Sequence, residues 1–280
     1  MKKTIIAVAL AGALNIIAAM KTGDTTMQDI KFSLGKNIAA TAEATKIAEF
    51  RVSNVDGMIE YSVLQIPPEM VVVFQHPGQD IKIKSVFGLT LDADRKRTPD
   101  DIVHRASVSI TGREVKSHAA GRAVVDDLIA QFEKGKWKRY IAARCPAVTG
   151  RSSFLDESGS IDSHGCAIDP QYKFNSDEWN KIFAQTGDFE WTGDGIYASL
   201  SVGYDDDIRG ITYNILITFR DYKTMLTENF ENEQRKNELG DQKGWNSSAN
   251  AAENKKKIAA RIIVLEKNAL KRGDTIVARE

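Results

Sequence analysis

The sequence contains few of the residues that define several specialised protein classes. It has only two cysteines and six prolines in 280 residues, and its 38 basic and 38 acidic side chains cancel. The low proline content, with 20 glycines, excludes a collagen-like or low-complexity chain. A nucleic-acid-binding protein usually presents a basic surface, so the zero net charge argues against a nucleic-acid partner. The 42% apolar content is too high for a disordered chain and too low for a polytopic membrane protein.

Motifs that carry known chemistry are also missing. We find no nucleophile elbow, phosphate-binding loop or dinucleotide fingerprint. No i, i+4 pair occurs among the four histidines, which are His76, His104, His118 and His164. Asp92 and Asp94 resemble the start of a calcium-binding loop, but the cations Lys96 and Arg97 follow where further ligands belong. We therefore predict a protein without enzymatic activity, metal or cofactor.

The first 19 residues have the pattern of a secretory signal peptide. Lys2 and Lys3 precede an apolar run over Ile5 to Leu14, and small residues end the segment at Ala19. Asn15 interrupts the apolar stretch, which is short for a membrane span of ~20 residues. An uncleaved membrane anchor or a buried core helix is the alternative interpretation. The signal peptide predicts export to the periplasm.

Ile17, Ala18 and Ala19 match the first three positions of a bacterial lipobox, where a lipidated cysteine should come next. Met20 occupies that fourth position, so this chain cannot be lipidated there. Either the protein is released in soluble form, or it is a version of a lipoprotein that has lost the cysteine. We expect membrane association only if the signal remains uncleaved or a lipidated form exists.

Cys145 and Cys166 both lie in the predicted exported part. Two cysteines in an oxidising compartment favour a disulfide. The crosslink would close the loop between them and stabilise the fold by roughly 3 kcal/mol. The loop is rich in Gly, Ser and Asp and has little periodicity, so it needs such a crosslink. A metal site or cysteine nucleophile that uses His164 is the weaker alternative, because the spacing matches no known ligand set.

After the signal peptide, residues 20–116 form a predicted β-rich domain. Asp56 and Gly57 stand between two apolar runs and predict a hairpin turn. We predict further strands over Met70–Gln75, Ile81–Leu91 and Val103–Thr111 from their apolar or alternating pattern.

Residues 117–222 form a predicted α+β domain. Ser117 starts the clearest helix, and Ser176 is the predicted N-cap of a second. Alternating apolar residues from Ile196 to Tyr204 and from Ile211 to Phe219 predict an antiparallel meander with a turn over 205–210.

Residues 223–280 form a predicted helical region. Helices over 224–239 and 249–271 are expected to form a hairpin, with Gly240 breaking the first helix. We interpret the lysines at 255–257 as a solvated helix face. The predicted fold class is therefore α+β, with antiparallel sheets covered by helices and a C-terminal helical hairpin.

Two segments are candidates for contact with a partner. The first is the basic, aromatic stretch that contains Trp137 and Arg139, which is either a cationic helix end that leads into a strand or a contact for an anionic partner or a membrane surface. The second is the acidic triplet Asp205, Asp206 and Asp207 at a predicted hairpin tip, which either keeps the tip soluble or recognises a basic partner. Exposed loops on a rigid sheet often carry binding function.

These features favour a periplasmic binding or inhibitory protein with a protein partner. An envelope structural or assembly protein that uses the C-terminal helical hairpin is the second hypothesis, and an unrecognised hydrolase is the third. In overall organisation the chain resembles the periplasmic immunity proteins of type VI secretion effectors, especially of lipase effectors. The resemblance depends on Ile17 to Ala19, Cys145 and Cys166. It implies that the protein blocks a toxic effector, such as a lipase, by occluding its active site.

Overall fold

A computed structural model of the protein describes residues 29–279, apart from residues 48, 79, 99, 112–114, 163 and 164. The predicted signal peptide, its lipobox-like end and His164 lie outside the described residues.

The described chain contains eleven strands, five α-helices and a short 3-10 helix over Gly150–Phe154. The strands are β1 (Ile30–Phe32), β2 (Arg51–Val55), β3 (Met58–Leu64), β4 (Val72–Phe74), β5 (Ile81–Ile83), β6 (Gly88–Asp94), β7 (Val103–Thr111), β8 (Lys138–Arg139), β9 (Gly187–Gly193), β10 (Ile196–Asp207) and β11 (Gly210–Asp221). The helices are α1 (Ile38–Ala44), α2 (His118–Lys134), α3 (Ser176–Phe183), α4 (Tyr222–Gln242) and α5 (Ser247–Arg272).

Eight strands form one antiparallel sheet in the order β2-β3-β6-β7-β11-β10-β9-β8. A smaller sheet has the order β1-β4-β5, in which β1 runs parallel to β4. The predicted α+β class with antiparallel sheets is confirmed. Because β7 pairs directly with β11, strands from 20–116 and from 117–222 are neighbours in one sheet.

Alternation along the strands gives the large sheet one apolar face. On β11, Tyr213, Ile215, Ile217 and Phe219 are all buried. Helix α2 packs here through Phe132, whose ring stacks on Trp191 with centroids 4.0 Å apart. The helix that Ser117 was predicted to start therefore covers the sheet, and the Ser117 side chain accepts a hydrogen bond from the Ala120 amide.

A glycine allows α2 to approach the sheet closely. A Cβ on Gly121 would lie 2.6 Å from the Tyr213 ring, so no side chain fits there. The Tyr213 hydroxyl accepts a hydrogen bond from Trp179 Nε1 of α3 at 2.6 Å and lies 2.8 Å from His118 Nδ1. This buried contact ties both helices to the same strand.

Three local predictions before the C-terminal hairpin were wrong. The chain over 81–91 is not one strand, because Ser85 has a φ of 54° and separates β5 in the small sheet from β6 in the large one. Asn175, not Ser176, caps α3, and its side chain accepts from the Glu178 amide in a capping box. The turn predicted over 205–210 is shorter, because β10 continues through Asp207. The Asp56–Gly57 hairpin is confirmed, and both residues have positive φ.

Helices α4 and α5 pack as the predicted C-terminal hairpin. Gly240 does not break α4; it is buried within the last turn, where its Cα faces Ser247 at the start of α5. The hairpin turn follows at residues 243–246. Ile262, Leu265 and Ala269 of α5 are buried.

The predicted disulfide joins Cys145 to Cys166. The C-terminal tail docks on the segment next to it: the Val277 amide donates to the Ala147 carbonyl at 2.8 Å, and Arg279 donates to the Cys145 carbonyl at 2.6 Å. Asp274 accepts from the Ser152 amide at 3.0 Å. The end of the chain is thereby fixed to the disulfide loop.

Candidate functional site

Trp137 is a core residue. Its side chain is only 7% exposed and packs edge-to-face on Phe132, with ring centroids 5.1 Å apart. A partner that docks on the surface therefore does not reach most of this ring. The aromatic ring of Trp137 suggested a contact residue, but this ring packs between α2 and the sheets.

Arg139 precedes the disulfide loop and binds to it. Its guanidinium donates to the Val148 carbonyl at 2.7 Å and to the Ala167 carbonyl at 3.0 Å. Burial lowers the pKa of Arg139 below its usual range, although the charges of Asp169 and Glu190 oppose the shift. Because Val148 lies inside the disulfide loop and Ala167 directly follows Cys166, this arginine holds the loop near both of its ends.

The acidic triplet lies at the far end of the β10–β11 hairpin. Both strands have 12 residues and pair over their whole length, from Ile196↔Asp221 to Asp207↔Gly210. The pairing of β9 with β10 ends at Val202, and that of β7 with β11 ends at Asn214. The hairpin therefore extends beyond the described pairing of its neighbours as a two-stranded ribbon.

We call residues 205–209 the hairpin tip. Asp205 accepts a hydrogen bond from Asn214 Nδ2 at 2.8 Å, and Asp207 forms an ion pair with Arg209 at 2.7 Å. Between these charges, Ile208 is fully exposed to solvent. The Arg209 guanidinium and amide hold the pKa of Asp207 below its usual range, so this carboxylate is ionised at neutral pH. The tip thus presents one aliphatic side chain between Asp207 and Arg209, in a segment that carries three carboxylates and one guanidinium.

A recess of about 370 Å³ lies at the base of the tip, between the ribbon and the end of α3. The polar groups around it are mainly hydroxyls and amides, from Ser109, Gln185, Thr186, Ser201, Asp205 and Asn214. Such groups can orient a small polar side chain or a peptide by hydrogen bonding.

The wall of the recess has an unusual backbone. Thr186 has a φ of 77°, a value that β-branched residues rarely adopt. A Cβ on Gly203 would lie 2.9 Å from the Thr186 hydroxyl, so this glycine lets the strained turn rest on β10. Strain of this kind often occurs at functional sites. Neither residue was singled out by the sequence.

The side of the large sheet opposite its apolar core is its polar face. It carries mostly short hydroxyl and charged side chains: Glu60, Ser62, Thr90, Asp92, Arg105, Ser107, Ser109, Asp188, Glu190, Thr192, Ser199, Ser201 and Thr218. Burial raises the pKa of Glu190, while its hydrogen bond with Tyr197 opposes the shift. Tyr140 packs edge-to-face on Tyr197, with ring centroids 5.4 Å apart.

A second charged group joins α4 to the end of the sheet. A β-bulge on β7 places His104 outside the regular register, with its Nε2 3.5 Å from a Glu228 carboxylate oxygen. Glu228 also pairs with Arg220 and lies 3.8 Å from Arg97. Burial lowers the pKa of His104, although Glu228 opposes the shift. This group attaches the helical hairpin to the sheet.

Among the described residues, no three His, Cys, Asp or Glu side chains are grouped so that they could hold a metal ion. Asp92 is buried against Arg105 at 2.8 Å, and Asp94 pairs with Arg97, so these two carboxylates face cations.

No described helix is long and apolar enough to span a bilayer.

Comparison of the chain with protein-family models, curated proteins and solved structures found no match.

Proposed function

We propose that this protein is an exported, non-enzymatic binding protein that inhibits another protein by presenting the β10–β11 hairpin tip to it. The observation that carries the proposal is the full exposure of Ile208 at the end of a ribbon built from two fully paired 12-residue strands. An aliphatic side chain on a rigid support loses little conformational entropy when it enters a pocket. The disulfide between Cys145 and Cys166 supports export, since such bonds persist in oxidising compartments.

The carboxylates around Ile208 determine the kind of partner. An acidic rim attracts a cleft lined by Lys or Arg side chains and speeds association with it. The partner is a protein with a basic rim around an apolar pocket, and the tip blocks that pocket without turnover. This arrangement suits an immunity protein that covers the active site or substrate entrance of a secreted toxin, such as a type VI lipase effector.

A direct binding measurement tests the role of the tip. If a secreted toxin is encoded beside this protein, the wild-type chain should capture it, and Ile208→Ser should weaken the complex at least tenfold. The matched control is Val55→Ser, because Val55 is an exposed aliphatic residue beside the turn of the other hairpin. Equal loss in both variants, or none in either, would contradict recognition by the tip.

Cell growth tests the inhibitory role. Cells that make the toxin in the periplasm should grow only when the wild-type protein or the Val55→Ser variant is present. If growth is the same without this protein, it is not the inhibitor of that toxin.

The C-terminal helical hairpin supports a second candidate, an envelope structural or assembly protein. Its exposed apolar side chains include Leu226, Phe230, Leu239 and Trp245, which could contact another envelope component. A chain with Phe230→Ser that still inhibits the toxin but no longer co-purifies with envelope proteins would favour this function.

A further inference from the structure

Helix α5 presents aliphatic side chains to solvent on the side away from its buried row. Ile262 is buried, but Ile263 is 66% exposed, because successive residues point about 100° apart around a helix. Leu270 lies two turns further on, above Ile263, and is 56% exposed. Two large aliphatic residues are therefore aligned on the outer surface of the helix.

Lysines accompany these aliphatic residues. Relative to Ile263, Lys256 lies seven residues before and Lys267 four residues after, so both project from the same side. Lys271 extends this set by one more turn. All three lysines are exposed. We call Lys256, Ile263, Lys267, Leu270 and Lys271 the outer face of α5.

The helix as a whole is strongly basic. Ser247–Arg272 contains seven lysines and arginines against two glutamates, in a chain with no net charge. One glutamate, Glu253, pairs with Lys257 at 2.8 Å, and the other, Glu266, accepts from the Ala147 amide at 3.0 Å. The positive charge is therefore concentrated on one element.

Charge and shape together select the partner. A second copy of α5 would bring lysines against lysines, which is repulsive. An anionic bilayer attracts the lysines, whose long stems allow the ammonium groups to remain at the headgroups while aliphatic side chains enter the acyl boundary. Trp245, 62% exposed in the turn before α5, is a residue type enriched at bilayer interfaces.

We propose that the outer face of α5 binds the surface of an anionic lipid bilayer, with Ile263 and Leu270 entering the interface. This contact requires neither the N-terminal apolar segment nor a lipid modification. It is also independent of the hairpin tip, so it would hold the inhibitor at a membrane whatever protein it binds.

Vesicle flotation with the full chain tests the proposal. The measured quantity is the ratio of two partition coefficients. The first is for vesicles of phosphatidylcholine with about 30% phosphatidylglycerol, and the second is for vesicles of phosphatidylcholine alone. Since all variants share the N-terminal segment, differences between their ratios arise from the substituted residues. Combined Lys256→Gln, Lys267→Gln and Lys271→Gln should reduce the ratio about a hundredfold, and raised salt should also reduce it.

The matched control replaces three exposed lysines elsewhere, Lys31, Lys84 and Lys181, by glutamine and should keep the wild-type ratio. Circular dichroism and thermal melting check that both triple variants are folded. Equal ratios for the two triple variants, or a wild-type ratio near one, would overturn the proposal.

Ile263→Ser separates a bilayer from an acidic macromolecule. At an exposed position this change leaves the fold intact, and it should weaken vesicle binding at least threefold. If it has no effect on vesicle binding, and soluble polyglutamate binds the wild-type chain as tightly as the vesicles do, the partner is an acidic macromolecule and the bilayer proposal fails.

Discussion

The two faces of the eight-stranded sheet come from alternate residues of the same strands but are built differently. Phe219 is fully buried on the apolar face and stacks on Phe74, with ring centroids 3.9 Å apart. Thr218, the preceding residue, lies on the polar face, where its hydroxyl is 3.4 Å from that of Ser107. Large interlocking rings on one face supply packing energy, whereas the short hydroxyls on the other face bury much less apolar surface.

The largest expected effect is on the apolar face. Phe219→Ala should lower the free energy of unfolding by about 3–5 kcal/mol, because it removes a buried ring and leaves a cavity. Thr218→Ala is the matched change on the polar face and should cost no more than about 1 kcal/mol. Urea denaturation measures both, and similar losses would mean that the two faces do not differ as described.

Asp92 is the exception on the polar face, since its carboxylate is only 3% exposed. The Asp92 carboxylate accepts a hydrogen bond from Arg105 Nε at 2.8 Å. Arg105→Gln removes this cation and leaves the buried carboxylate without an opposite charge. We expect a loss of roughly 1–3 kcal/mol in the free energy of unfolding. Lys257→Gln, at an exposed ion pair, should cost less, and the reverse order would contradict this account.

The next effect depends on pH and concerns His104 at the end of the sheet. Burial holds its folded-state pKa below the usual 6.5, so between these two values the unfolded chain binds a proton that the folded chain does not. The stability contributed by neutral His104 is therefore lost as the pH falls through this window. His104→Gln should flatten the stability profile between pH 7 and 5 (approximate limits), as followed by urea denaturation. An unchanged slope would show that other groups dominate.

The smallest effect is expected for a hydroxyl in the middle of the polar face. Ser107→Ala should change the free energy of unfolding by no more than about 0.5 kcal/mol, because surface substitutions without buried partners usually have small effects. Ala106→Ser, its neighbour on the apolar face, places a hydroxyl in the core and should cost more. Equal small changes at both positions would contradict the difference in burial between the two faces.

Much of the sheet could be predicted because its signals are local. The alternation in β10 and β11 and the Asp56–Gly57 turn depend on residues close in sequence, and each has a direct backbone consequence. The cysteine pairing was also predictable, because a chain with two cysteines offers only one pairing. The helical hairpin was recognisable from its narrow apolar row.

The rest of the fold depends on contacts that the sequence does not reveal. The charge and aromaticity around Trp137 and Arg139 suggested a surface patch, but Trp137 packs on Phe132 in the core, and the half-buried Arg139 donates to the carbonyls of Val148 and Ala167. The break at Ser85 was missed because the single apolar stretch over 81–91 pairs with strands of two different sheets, and the sequence does not show this pairing. The recess beside Thr186 was missed because its lining comes from four separate segments.

The docking of the tail on the disulfide loop has a consequence for the order of folding. Thr149 and Thr275, whose hydroxyl oxygens lie 2.9 Å apart, are separated by 126 positions in the chain. The residues that hold the loop come much later in the chain, so the segment around Cys145 has no docked partner until the tail reaches it. Closure of such a distant contact is slow compared with local pairing. Local pairing of β10 with β11 can therefore come before the docking of residues 274–279 on the disulfide loop.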